Sequence, residues 1–436
     1  MVLFCSKFID DKTGSGLFAK STLKPRTNLF KTSQMITCLN EKSHRELCNH
    51  CFQPCSSLKR CSRCKHLRYC SEGCQRDNWK VHKAECDLLS SINASHFVPP
   101  LIRFCALLAS SSEMRSSYKV DGMMKHEYVE NEKICQYYPF LLRGVREMCA
   151  TAAPEKVYAL YIKLVVNLFT LEDTQFNEIG SALIPELTKL NHSCDPNCVL
   201  SFRGRTAYVT AIREIPEGEQ ITISYISLPK PFLARRQQLF SQYNFECTCG
   251  LCSVQRKKGR DTQLLRECPS CKEHSNPAID ISNNDLQCPS CQSSLLKSVE
   301  KTNDVMLKNI ATFNSAITTR AQQDIEIMAH LMAETDALIL EERWEAALRT
   351  GLKATVGLMD WAQSYPSTGL FLAKLGKLQL NQKFSDKSEY LDNYNRALQL
   401  FDMSLKCLSL SLSKSHPLLV EVEQFYYSTN EGINSQ

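Results

Sequence analysis

Between residues 48 and 86 the chain reads CNHCFQPCSSLKRCSRCKHLRYCSEGCQRDNWKVHKAEC, with seven cysteines and one histidine spaced as Cys48-x2-Cys51-x9-Cys61-x2-Cys64-x5-Cys70-x3-Cys74-x7-His82-x3-Cys86. Eight thiolate or imidazole ligands make two closed tetrahedral sites, the arrangement of structural zinc. A stretch this short with so few large apolar side chains cannot build a core of its own, so metal binding has to supply the folding energy. His82 and Cys86 are four apart in a stretch that reads as a helix, which aims both from one face at one metal. Cys55 stands outside the pattern.

Two further clusters continue the theme. In YNFECTCGLC, residues 243–252, Cys247, Cys249 and Cys252 are one ligand short of a tetrahedron. Cys194, in LNHSCDPNC at 190–198, can be the fourth, and would bring Tyr243 and Phe245 close to Asn191 and His192. The pairs Cys268 with Cys271 and Cys288 with Cys291, sixteen residues apart, have the spacing of a zinc ribbon and imply a fourth ion. Fifteen of the 23 cysteines are then ligands; Cys5, Cys38, Cys55, Cys105, Cys135, Cys149, Cys198 and Cys407 read as ordinary buried thiols. A disulfide framework is the poorer account, because the chain is large, its opening residues lack the pattern of an export signal, and most cysteines fall in C-x-x-C or C-x-C pairs.

The whole 436-residue chain, 43% hydrophobic and 22% charged, is expected to fold as several soluble globular domains. Its longest apolar run, YALYIKLVVNLF at 158–169, is too short for a bilayer and carries Lys163, so it reads as a buried core helix and no membrane contact is expected. Residues 90–180 have helical spacing. Residues 199–226 alternate β-branched and polar positions between the turns RGR and PEGE, which is a strand pattern. Beyond about residue 303 the apolar positions recur every three or four residues, giving paired helices of tetratricopeptide type without a strict 34-residue period.

The cysteine module resembles the MYND zinc module, whose ligand pairs interleave: Cys48, Cys51, Cys70 and Cys74 would hold one ion, and Cys61, Cys64, His82 and Cys86 the other. With GSGL at 14–17, LNHSCDPNC, GEQITISYI at 218–226, YNFECTCGLC and a helical C-terminal region in that order, the chain resembles the SMYD lysine methyltransferases, in which a MYND module interrupts a SET domain. The resemblance implies an α+β multidomain fold. Its expected parts are an N-terminal piece of SET at 1–47, MYND at 48–86, a helical insertion at 87–175, core SET at 176–228, a post-SET zinc site at 229–256, a ribbon-like insertion at 257–300 and a helical domain at 301–436. Two departures from relatives stand out: Ser15 is shorter than the residue they usually carry between the early glycines, and KPRTNLF lacks their turn glycine.

The resemblance also implies function. Zn2+ and S-adenosylmethionine would be the cofactors, the latter bound by Gly14, Ser15, Gly16, Asn167, Asn191, His192, Tyr225, Tyr243 and Phe245. Tyr225 would be the catalytic residue, orienting a substrate lysine in a channel of tyrosine and phenylalanine. Presenting a neutral lysine amine near pH 7.4 costs roughly 4 kcal/mol for a free pKa of about 10.4; a nearby sulfonium and a dry aromatic channel both lower that cost. Substrates would be histone or non-histone proteins, met by a monomer in nucleus and cytoplasm. The other reading is a non-catalytic adaptor that binds proline-containing peptides through MYND and partners through the helices, as a transcriptional co-regulator. The formal charge of residues 48–86, +5, falls to +2 once seven thiolates and two zinc ions are counted, so DNA binding is expected to be weak at most and strongly salt-dependent.

Overall fold

The computed structural model describes residues 3–10, 14–125, 132–228, 230, 232–257, the short strands 266–267, 274–275, 278–280 and 285–287, and 325–361, 365–382 and 387–434. The chain divides into two compact units, 1–225 with 236–246 and 226–235 with 247–436.

The first unit is built on three small sheets. One has the order β1 (Phe4–Asp10), β2 (Gly14–Ala19), β12 (Gln220–Ile223), β9 (Asn191–His192); a second pairs β10 (Cys198–Arg203) with β11 (Thr206–Ala211) and β3 (Asn28–Thr32); the third is β4 (Ile36–Leu39), β8 (Glu178–Leu183), β7 (Leu168–Glu172). In β11 the sequence TAYVTA buries Ala207, Val209 and Ala211 and leaves the residues between them half-buried, the period-two pattern of a strand packed on one face. The turn before β3 runs through Arg26 at φ 68°, with the Thr27 amide donating to the Lys24 carbonyl at 3.2 Å. Here an arginine occupies the left-handed region that glycine fills without strain.

Helices pack beside the sheets: α3 (Pro100–Ser110), α5 (Glu132–Met148) and α6 (Pro154–Asn167) share one apolar core. The expected core helix ends at Asn167, earlier than helical spacing suggests. Leu168–Glu172 is instead β7, registered against β8 from Leu168–Leu183 onward. The residues around Thr170 have β character, and pairing with β8 outweighs their helical periodicity. Of the eight cysteines read as buried, Cys38, Cys105, Cys198 and Cys407 are buried, but Cys5, Cys55 and Cys149 are half-buried and Cys135 is exposed. Cys135 lies on α5, one face of which meets solvent.

The cysteine-rich segment carries α1 (Glu41–Glu46) before it, the short pair β5 (Lys59–Arg60) and β6 (Arg68–Tyr69), and α2 (Glu72–Ser90). Two knuckles have the same geometry: Phe52 (φ 62°) and Lys65 (φ 61°) follow Cys51 and Cys64, and their amides donate to the carbonyls of Cys48 and Cys61, each at 3.0 Å. Helix α2 is capped by the Ser71 hydroxyl, which accepts from the Cys74 amide at 3.2 Å. The ligand atoms gather as Cys48, Cys51, Cys70, Cys74 and as Cys61, Cys64, His82, Cys86, the interleaved pairing, each set within 4.8 Å. Sulfur separations of 3.7 Å for Cys51 to Cys70, 3.5 Å for Cys70 to Cys74 and 3.9 Å for Cys61 to Cys86 match the edge of about 3.8 Å that a tetrahedron with 2.3 Å zinc–sulfur bonds requires. Both donor sets therefore fit zinc.

Behind the second set, His82 turns Nε2 toward Cys61 and Cys64 at 3.4 and 3.6 Å and Nδ1 toward Glu85 Oε1 at 3.4 Å. Glu85 is gripped in turn by Arg103 of α3, at 2.8 and 3.0 Å from Nη2 and 3.3 Å from Nε. All three are buried. Such a carboxylate–histidine–metal relay fixes the imidazole tautomer and ring orientation.

In the second unit α7 (Phe232–Tyr243) begins and α8 (Gly250–Lys257) follows; two hairpins pair Arg266–Glu267 with His274–Ser275 and Ala278–Asp280 with Asp285–Gln287. Cys268, Cys271, Cys288 and Cys291 lie outside the described residues. Five helices then run as α9 (Ile325–Leu340), α10 (Trp344–Trp361), α11 (Pro366–Leu380), α12 (Lys387–Ser411) and α13 (Pro417–Asn434). Gly369 and Gly376 let α11 lie close on α12: an added Cβ would meet Leu408 at 2.5 Å and Phe401 at 2.6 Å. Lys377 links α11 to α13 through Glu421 at 2.6 Å and lies over the Phe425 ring at 4.7 Å. Among the described residues no helix is long and apolar enough to cross a membrane.

Removing one partner of the buried Glu85–Arg103 pair strands the other charge. Arg103→Met is expected to destabilise the zinc-loaded protein by about 3–5 kcal/mol in urea unfolding, and Glu85→Leu combined with Arg103→Met should recover most of the loss. Equal stability of Arg103→Met and the parent would contradict the relay.

Candidate active site

Most residues of LNHSCDPNC have a task at one crossing. Strand β9 lies parallel to β12, with Asn191 against Thr222 and His192 against Ile223. The Ser193 amide extends the pairing by donating to the Ile223 carbonyl at 2.9 Å, while the Ser193 hydroxyl accepts from the Asp195 amide at 3.0 Å. Asn197, fully buried, ties the crossing from below: its Nδ2 donates to Gln220 O at 2.8 Å and Glu219 Oε1 at 3.0 Å, and its Oδ1 accepts the Thr222 amide at 2.8 Å. Asn197 looks like a turn residue in the string DPNC, and no spacing signal marks it as the clasp.

His192 is held at both nitrogens. Nδ1 accepts the Tyr225 amide at 3.0 Å, which places the ring proton on Nε2, 3.2 Å from the sulfur of Cys194. Cys194 is fully buried, and its sulfur lies within 4.8 Å of those of Cys247, Cys249 and Cys252, which also lie within that distance of one another. The donor set of four thiols fits zinc, and an Nε2–H aimed at a ligating sulfur suits a thiolate. His192 thus meets a ligand of this third site and stays out of its coordination sphere.

Tyr225 lies two residues past the end of β12. Its hydroxyl donates to the Leu190 carbonyl at 2.7 Å, and its own carbonyl accepts from the Tyr243 hydroxyl at 3.2 Å. Around it the rings of His192, Tyr243 and Phe245 have centroids 5.4, 5.1 and 6.4 Å away, and Phe245 meets His192 edge-on at 6.0 Å. These distances are those of packed aromatic pairs. Burial, and then the neighbouring Tyr243 charge, hold the Tyr225 hydroxyl well above its ordinary pKa, and burial pushes Tyr243 up to about 12. Both phenols therefore stay neutral through the physiological range.

The glycines face the same crossing. Gly14 has φ 73°, and a Cβ there would lie 3.3 Å from the Met124 sulfur. At Gly16 a Cβ would lie 2.4 Å from Gln220 Nε2, 2.9 Å from Ile9 Cδ1 and 3.0 Å from Asn191 Nδ2, so the position admits no side chain. Gln220 Nε2 is buried there without a hydrogen-bond partner, a donor available to a bound acceptor. Asn191 Nδ2 donates to the Ser15 carbonyl at 3.3 Å; by strand alternation the Ser15 side chain points to the opposite face from that of Gly14 and Gly16. Asn167, 4% exposed, spends its Nδ2 on the carbonyls of Met124 at 2.8 Å and Lys163 at 2.7 Å, which leaves its oxygen for any cofactor contact. Met124 and Gln220 carry no sequence signal: one sits in DGMMKH, the other reads as a plain strand residue.

A SET domain family model matches residues 14–226. The chain is similar to histone-lysine N-methyltransferase SMYD3 of Homo sapiens, 26% identical over 396 residues that cover 86% of this chain and 88% of that protein. It is 28% identical over 399 residues to SMYD3 of Mus musculus, with the same coverage. Against N-lysine methyltransferase SMYD2 of Bos taurus it is 25% identical over 440 residues, covering 96% of each. Coverage nearly end to end, a SET match that spans the inserted zinc module, and the third thiol cluster beside the asparagine–histidine crossing agree with one another: the chain carries a SET domain match and is similar over nearly its whole length to SMYD lysine methyltransferases.

Proposed function

We propose that the protein is an S-adenosylmethionine-dependent protein-lysine N-methyltransferase acting on histone or non-histone proteins. The observation that carries this reading is the commitment of the Tyr225 hydroxyl. Its proton goes to Leu190 O, so its oxygen remains an acceptor, pointed from within a wall of three other rings. S-adenosylmethionine supplies a methyl group on a sulfonium.

The chain's own residues do the rest. The side-chain amides of Asn191 and Gln220, gathered over the face of Gly16 that has no room for a side chain, offer polar groups to a bound ligand, and Phe245 offers a ring face. Tyr225 accepts a hydrogen from the substrate amine or the polarised methyl, fixing the line of displacement; alignment of this kind supplies much of a bimolecular rate. Tyr243 and Tyr225 exclude water from the channel and so disfavour the ammonium form of the lysine. No dedicated strong base is needed, because the ammonium can give its proton to bulk water as it leaves solvent for the channel.

Protein and peptide partners fit this reading. Trp79 of α2, 37% exposed and edge-on to His82 at 5.7 Å, gives the zinc module an aromatic platform for proline-containing peptides. We place the protein, as a monomer, in nucleus and cytoplasm.

With tritiated S-adenosylmethionine and a cell extract as substrate, Tyr225→Phe is expected to lower transfer about 100-fold while cofactor affinity changes little. Undiminished transfer by this variant, or no transfer by the parent to any protein, would overturn the reading. Because both phenols titrate far above neutrality, the lysine alone should shape the pH profile. As pH rises the ammonium deprotonates, so log kcat/KM should climb with unit slope and level off, with no fall below about pH 10. A falling limb near pH 9 that disappears in Tyr225→Phe would show that the phenol ionises instead.

A further inference from the structure

Residues 120–124 make a short strap. Val120 and Met123 are buried, Lys119 enters the strap in the left-handed region at φ 51°, and two side chains of α6 hold its carbonyls. Lys163 Nζ donates to Asp121 O at 2.6 Å and Val120 O at 3.3 Å, and Asn167 Nδ2 donates to Met124 O at 2.8 Å. One helical turn separates the two anchors, so they grip the strap at its start and its end. The gripped end presents the half-buried Met124 thioether to Gly14, on the same face of β2 where Asn191 meets Gly16.

We propose that Met124 completes the wall of the methyl-donor site and that Lys163 and Asn167 are its positioning residues. The inference rests on the methyltransferase reading. A thioether is flexible and polarisable, suited to lie against a ring or a sulfur-bearing chain without competing for hydrogen bonds. The cationic Lys163 head is occupied by two carbonyls one turn away, so it meets the strap backbone and leaves the donor site to an apolar side chain. Asn167 acts through the strap: both bonds of its Nδ2 go to backbone, and its loss frees Met124 rather than removing a donor from the ligand.

The test uses the full chain, with affinity for S-adenosylmethionine and S-adenosylhomocysteine measured by calorimetry and turnover at saturating donor. Met124→Ala is expected to weaken both ligands about tenfold while kcat changes far less, the split of a group that binds ground and transition state alike. Lys163→Met should weaken both by a similar factor and Lys163→Arg should recover most of it, with thermal unfolding showing that each variant is folded. Parent protein that binds neither ligand would overturn the function and this inference together. Parent protein that binds and transfers, beside folded Met124→Ala and Lys163→Met variants that bind as tightly, would overturn only the strap. A kcat loss in Met124→Ala without a change in affinity would do the same.

Discussion

The candidate site depends on a parallel contact of two short segments, β9 and β12, which neither segment could maintain by itself. Each brings only two to four residues to the ladder, too few for independent stability. Asn197 makes up the difference with four hydrogen bonds from one buried amide, two given and two accepted, to the backbone and side chains of residues 219–222. Loss of that amide would leave several buried polar groups unpaired, each costing about 1–3 kcal/mol. Everything chemical hangs from the crossing: His192 reaches the Tyr225 amide across it, and the Tyr225 hydroxyl reaches back to Leu190.

Metal-ligand sets supply rigidity where apolar burial is scarce. In the cysteine-rich segment the knuckles after Cys51 and Cys64 place residues in left-handed conformations that only an ordered ligand set makes worthwhile. The Glu85–Arg103 pair extends this order into the apolar helices, since Arg103 lies in the first turn of α3. His192 stands in a comparable relation to Cys194: a ring held by backbone on one nitrogen and facing a ligand sulfur on the other. In both places a histidine joins a metal-ligand set to the surrounding fold.

What could be read in the sequence follows from how local each physical demand is. A tetrahedral metal needs four donors at close spacing, so two four-ligand sites between Cys48 and Cys86 were legible, with their interleaved pairing supplied by the resemblance to MYND; the need of Cys247, Cys249 and Cys252 for a fourth thiol was legible as well. The strand character of 199–226 showed in its alternation. The thiol count drew Tyr243 and Phe245 toward Asn191 and His192, but the place of Tyr225 among them came only through the family resemblance, because Leu190, Tyr225 and Tyr243 share no period or spacing. Asn197, Met124 and the Glu85–Arg103 pair were not legible at all: their roles are fixed by partners far along the chain, and asparagine, methionine and arginine each have commoner local explanations. The end of α6 was misread for a related reason. Leu168–Glu172 carries helical periodicity, and only its pairing with β8 makes it a strand.

Native-state hydrogen exchange in Asn197→Leu tests the dependence of the site on the crossing most directly. The amides of Ser193 and Tyr225 do not touch Asn197; one donates to Ile223 O and the other to His192 Nδ1. If the clasp holds the crossing, both should lose protection together, along with S-adenosylmethionine binding, while amides of β10 and β11 keep theirs. Retained protection at Ser193 and Tyr225, with cofactor bound as in the parent, would mean that the two segments stay together without Asn197 and that the site rests on some other constraint.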